Sequence, residues 1–190
     1  ALDLDLPTRI SASSSRWGRD QESFPIASKI HFEFPTKGNR PAVKMTWYDG
    51  GLLPERPELI ENGRQMGDND GGVLIVGDRN TLMHGVYGLD PRLIPETRNV
   101  EYQKPPPTLA RSPGIYQEWI DAIKDRSKVT TSNFEYAGRL TETMLLGNVA
   151  LLRAGEHSVL DYDGANRRFT NDEEANAYLD KDYRPGFGLV

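Results

Sequence analysis

The chain of 190 residues is long enough to bury a sizeable core, but with 37% hydrophobic residues and a mean hydropathy of -0.61 it is on the polar side and points to a thin, two-layer domain. Its net charge of -5, with 23 basic residues scattered singly, leaves no stripe that could neutralise neighbouring phosphates, which argues against nucleic acid as a partner. The lack of cysteine excludes disulfides and thiolate metal sites, and no apolar run approaches the length needed to cross a bilayer, so a membrane is not expected as a partner either.

Leu2, Leu4 and Leu6 alternate with Asp3 and Asp5 up to Pro7, like the tail of a preceding element; with no initiator Met, the opening suggests a fragment of something longer. Residues 1–25 read as a residual inter-domain segment, a first strand over Thr8 to Ser13 and a polar surface loop. The one large apolar group of that loop, Trp17, is either an anchor onto the domain or a contact for a ligand or partner. Residues 26–190 read as one α+β domain. Ile26 to Phe34 alternates, with Ile26, Ile30, Phe32 and Phe34 on one face and Lys29, His31 and Glu33 on the other, and Val43, Met45 and Trp47 resume the alternation after the Lys37 to Pro41 turn.

Tyr48 to Asn69 is a long loop of the kind that makes contacts. Val73 to Val76 is a continuous apolar run suited to a strand buried on both faces; paired with Thr81 to Tyr87, it is expected at the sheet centre. Gly88 to Arg111, with Pro105-Pro106-Pro107, is expected to wander over the surface, partly as polyproline II.

Two amphipathic helices follow. The first has Ser112 as N-cap, Pro113 at the first helical position and Ile115, Trp119, Ala122 and Ile123 on one stripe, and stops between Lys124 and Lys128. The second opens with Ser132 and Glu135 in capping-box register, carries Leu140, Met144, Leu145, Val149 and Leu152, and ends at Arg153 before Gly155. Both need a sheet to cover their stripes, which gives an open, largely antiparallel sheet with two main helices on one face. Ile30, Phe32, Trp119, Leu145 and Val149 are assigned to its core. A last hairpin, Ser158 to Tyr162 with Arg167 to Phe169, precedes a short helix capped by Asn171 and Glu174 that ends near Asp180.

No glycine-rich phosphate loop, nucleophile elbow or His-Glu-x-x-His helix occurs, so no catalytic, cofactor-binding or metal-ligating residue is assigned. His31, His84 and His157 fall in or beside different strands, and Asp68 to Gly71 imitates a calcium loop but lacks the closing Glu, which makes a tight turn the simpler reading. Asp49, Arg111 and Glu118 are the charged residues placed at element ends beside aromatics. Trp47-Tyr48-Asp49 offers the apolar plate and hydrogen-bonding group that a sugar ring favours, and Arg111 before a helix start would form an anion- or hydroxyl-binding corner. Structural salt bridges and a packed Trp are the alternative for the same residues.

TWYDGG at Thr46 to Gly51, GVLIVGDRNTL at Gly72 to Leu82, RLIPE at Arg92 to Glu96, RSPGIYQEWIDAIK at Arg111 to Lys124, SNFEYAGRLTETMLLGNVAL at Ser132 to Leu151, and the closing DYDG, FTN, EAN and YRPGF together resemble the C-terminal domain of Gfo/Idh/MocA-type oxidoreductases. The likeness runs from Ile26 onward and is strongest over the helical stretch. It implies a two-domain parent enzyme, a Rossmann domain followed by an α+β domain of the glyceraldehyde-3-phosphate dehydrogenase C-terminal type. The helix-free sheet face would serve oligomerisation and help close the substrate site. Such enzymes move hydride between NAD or NADP and a sugar, inositol or related polyol, and some cleave glycosides with a tightly held nicotinamide. The Rossmann half and its catalytic Lys have no counterpart here, so this chain is expected to hold no cofactor and not to be active alone. Many relatives have His-His or His-Tyr after the Ser-Pro-Gly; Ile115-Tyr116 stands here. The resemblance and the residues together suggest Trp47, Tyr48, Asp49, Arg111 and Tyr116 as the substrate-binding contribution of this half. The alternatives are a stand-alone carbohydrate-binding or scaffold module and a domain of a NAD-dependent glycosidase.

Overall fold

The structure, a computed structural model, describes residues 2–16, 22–154 and 159–188. The fold is α+β, built from open antiparallel sheets. In chain order the elements are strands β1 (Arg9–Ser14), β2 (Ser28–Phe34), β3 (Val43–Tyr48), β4 (Gly72–Val76), β5 (Thr81–Gly85) and β6 (Arg92–Ile94), and helices α1 (Glu96–Glu101), α2 (Ile115–Lys124) and α3 (Phe134–Arg153). Strands β7 (Val159–Asp163) and β8 (Arg168–Phe169) and helix α4 (Glu173–Asn176) complete it. The chain forms two compact units, one of Ala1–Leu53 with Ser112–Val190 and one of Pro54–Arg111.

The first unit is a five-stranded sheet in the order β3-β2-β1-β7-β8. Strand alternation places every second residue of β2, from Ser28 through Ile30 and Phe32 to Phe34, on one buried face. On that face Phe32 lies opposite Ile10 of β1 and Met45 of β3, and Ile10 lies opposite Leu160 of β7. Helix α3 packs over β1 and β2 and adds Leu146, Val149, Ala150 and Leu151, while α4 packs on β8 and adds Ala175. Gly147 is what permits the close approach of α3: a Cβ there would lie 2.9 Å from the ring of Phe32. Tyr162 and Phe169 close the far end, their ring centres 5.2 Å apart.

Several expectations change in detail. Ile30, Phe32 and Val149 are core residues, but Leu145 is 55% and Trp119 63% exposed. The expectation that both long helices cover the sheet holds for α3 alone, because α2 has no buried residue. The ties of α2 are local: Gln117 donates to Asp121, Glu118 accepts from Thr131, and Lys128 pairs with Asp121.

The caps also shift. Gly114 sits at φ 111°, outside helical space, so α2 begins after it and Pro113 lies outside the helix, with Ser112 Oγ accepting from Gly114 N instead of capping a turn. Asn133, not Ser132, caps α3 by accepting from Tyr136 N at 3.0 Å. Asp172, not Asn171, caps α4. Asn171 is used instead as a strand mimic, accepting from Asp161 N and donating to Val159 O. Trp17, Gly155, His157 and Ser158 lie outside the described residues.

In the second unit β4, β5 and β6 form their own three-stranded sheet around Ile60, Met83 and Ile94. The Val73 to Val76 run is therefore an edge strand and not the centre of the main sheet; Val76 is 77% exposed. A short apolar run carries no periodicity that separates a doubly buried strand from an edge strand. The Gly88 to Arg111 stretch, expected as a wandering connection, contains β6 and α1, held by the buried Arg92, which pairs with Glu96 and Glu61, and by Glu61 accepting from Glu96 N. Asp68 to Gly71 is a tight turn. The Asp68 carboxylate accepts from Asp70 N and Val86 N, so its oxygens are taken by the backbone.

Candidate functional site

The polar end of β3 is set by one carboxylate. Asp49 Oδ1 accepts from Ser28 N at 2.6 Å, and Oδ2 accepts from Ser28 Oγ at 2.8 Å and from the Trp47 indole N–H at 3.2 Å. Charge-assisted bonds of this kind fix both partners. Ser28 is buried, and the indole of Trp47 is turned with its N–H toward Asp49 and nearly half of its surface in solvent.

Trp47 lies opposite Ile30 and so shares the helix-side face of the sheet. That face is left open over β3, where α3 does not reach. The result is a cavity of about 360 Å³ bounded by Trp47, Asp49 and Gly50, by Ile30 and Phe32, by the Phe24 to Ile26 segment, and by Met144, Asn148 and Leu151 of α3. This volume is at the small end of the range for small-molecule sites, about 300–1,000 Å³. Met144, Asn148 and Leu151 recur at helical spacing and present one stripe of α3 to the cavity. Asn148 is half-buried, and its side-chain amide has no hydrogen-bond partner among the described residues.

The suggested site residues separate. Trp47 and Asp49 line this cavity together. Tyr48, next in the strand, points to the opposite face, where Lys29 Nζ lies 5.3 Å from its ring centre. Tyr116 is on α2 and 79% exposed. Arg111 is exposed, ends the second unit and has no partner among the described residues. Glu118 holds Thr131 through both its N–H and its hydroxyl, and hydrogen bonds from Ser112 and Thr131 keep its carboxyl below the usual range. It therefore serves the α2 connector.

Ser28, Met144 and Asn148 are cavity residues that sequence reasoning missed. The available signal for Asn148 was a lone amide inside the apolar run Leu145 to Leu152.

The helix-free face of the same sheet carries a row of alternating charge, Asp161, Arg9, Glu33 and Lys44. Arg9 is 3.1 Å from Asp161 and 3.7 Å from Glu33, and Lys44 is 3.6 Å from Glu33. In the next row His31 Nδ1 is 3.0 Å from Thr46 Oγ1. Partial burial, and then the charge of Lys29, hold the His31 imidazole below its ordinary value. On the covered face, burial and a hydrogen bond to Glu142 push the Tyr162 phenol up, which keeps it a neutral donor. Among the described residues, no group of three or more His, Asp or Glu is arranged to hold a metal ion, and no helix is long and apolar enough to cross a membrane.

In comparisons with known proteins, no family model and no curated protein matches the chain.

Proposed function

We propose that this chain is the C-terminal substrate-binding and oligomerisation domain of an NAD(P)-dependent sugar or polyol dehydrogenase of the Gfo/Idh/MocA type. The ordered motif series supports the family, and the observation that carries the ligand role is the cavity in which Asp49 fixes the Trp47 ring beside the free amide of Asn148. A planar aromatic wall with a few convergent polar groups suits a hydroxylated ring. In this reading no residue of the chain holds the nicotinamide cofactor. Among the described residues every strand pairing is antiparallel, so there is no strand–turn–helix unit of the parallel kind whose first turn cradles a dinucleotide. In this reading NAD or NADP belongs to the Rossmann domain of the parent enzyme.

The helix-free sheet face is the association surface between copies. Its charge row supports this, because reversing the row sets Asp161 against Lys44 and Arg9 against Glu33.

Calorimetry on the chain tests the ligand role. A polyol such as myo-inositol should bind with a Kd on the order of 1 mM and lose that binding in Trp47→Ala, while NAD and NADP give no binding heat. Stoichiometric NAD binding by this chain, or polyol binding indifferent to Trp47→Ala, would sink the reading. Sedimentation equilibrium on the same samples should show a dimer or larger species that weakens with salt; a monomer throughout removes the association surface.

A further inference from the structure

We propose that the Trp47 cavity discriminates by charge: it takes uncharged or amino-bearing hydroxylated rings and rejects phosphorylated or carboxylate-bearing ones, with Asn148 as the residue that sets the choice. The proposal rests on reading this cavity as a ligand site.

The cavity walls offer an anion little in place of its water. Among the described residues, no Lys, Arg or His lines the cavity. An anion taken out of water needs a cation or several converging N–H donors. Three donors at the Asp49 end are already spent internally, Ser28 N, Ser28 Oγ and Trp47 Nε1 all pointing at Asp49, and the Asn148 amide alone is no substitute for a cation. Asp49 itself adds charge of the same sign as a phosphate or uronate.

The walls treat a neutral ring differently. Asn148 brings one carbonyl acceptor and one N–H₂ donor with no competing partner among the described residues, and a hydroxyl is likewise both donor and acceptor. A carboxamide satisfies that group without adding charge. With its indole N–H committed to Asp49, Trp47 presents its ring to the cavity as a stacking plate. An ammonium group would meet an aromatic ring and a carboxylate, both attractive to a cation.

The test is calorimetric titration of the 190-residue chain at 0.15 M salt with myo-inositol, glucosamine, glucose 6-phosphate and glucuronate. Inositol and glucosamine should bind at least about tenfold more tightly than the two anions. Asn148→Ala should weaken inositol by about two- to tenfold. The near-isosteric Asn148→Asp should raise the preference for glucosamine over inositol several-fold, with circular dichroism confirming that each variant is folded. Glucose 6-phosphate binding as tightly as inositol, with both lost in Trp47→Ala, would overturn the charge rule and leave the ligand-site reading standing. An unchanged glucosamine preference in folded Asn148→Asp would remove Asn148 from its role. No binding of any ring would overturn the proposal and the ligand-site reading together.

Discussion

In α3, Leu146, Val149 and Ala150 share a core with Ile30 and Phe32 of the sheet, whereas in α2 Ile115, Trp119 and Ile123 remain in solvent. Yet α2 is the helix with the sharper separation of apolar and polar faces. An apolar stripe shows that a helix has two faces and leaves open whether a surface will cover one of them. What distinguishes α3 is a file of small residues, Thr143, Gly147 and Ala150, all buried and spaced along one side, with the buried Ala154 following as C-cap. Small side chains let the helix axis come down onto the sheet, so that larger neighbours such as Leu146 reach across. The stripe of α2 is mostly bulky and offers no such seat.

That contrast can be broken by a short series of variants followed by chemical denaturation. Leu146→Ala removes a side chain that is only 2% exposed and should cost about 2–5 kcal/mol. Gly147→Ala should cost about 1–2 kcal/mol, because the added methyl meets the buried Phe32 ring and the gain in helix propensity only partly offsets the displacement. Trp119→Ala should change stability by no more than about 0.5 kcal/mol. A Trp119→Ala cost equal to that of Leu146→Ala would show that α2 is covered after all.

A smaller effect sharpens the difference between the two sheet faces. Because the folded pKa of His31 lies below its unfolded value, the unfolded chain takes up the proton first. The contribution of neutral His31 is therefore complete above about pH 6.5 and declines as pH falls from there through the depressed folded value. His31→Gln should flatten the fall of Tm in that window relative to the parent chain. Parallel Tm curves for the two proteins would mean that His31 senses no burial on the helix-free face.

Much of the first unit was legible because β2 and β3 follow strict alternation around a turn, and because Phe32 and Ile30 have no other place to go. Alternation also parts Trp47 and Asp49 from Tyr48. Drawing that consequence required knowing that the strand runs through Tyr48 and that Asp49 continues its pairing through Ser28. The cavity was not legible, since it exists only because α3 stops short of covering β3, a matter of helix placement and not of residue type. The caps were missed by one residue wherever two eligible side chains stood together, as in Ser132-Asn133 and Asn171-Asp172, where the neighbour that loses the cap finds other work or solvent. The second unit was obscured by its composition: β6 and α1 are short, flanked by Pro95 and held by the buried ion pairs of Arg92 more than by a periodic stripe.

The place of β1 in the sheet has a consequence for how the protein is made. One of its neighbours, β2, follows closely in the chain; the other is β7, and 152 residues separate Arg9 from Asp161. A nascent chain leaving the ribosome can pair β1 with β2 and β3 early, but it carries an unfilled strand edge until β7 has emerged. Closing that edge is a slow, non-local step, and it makes the late arrival of β7 the moment at which self-association competes with folding.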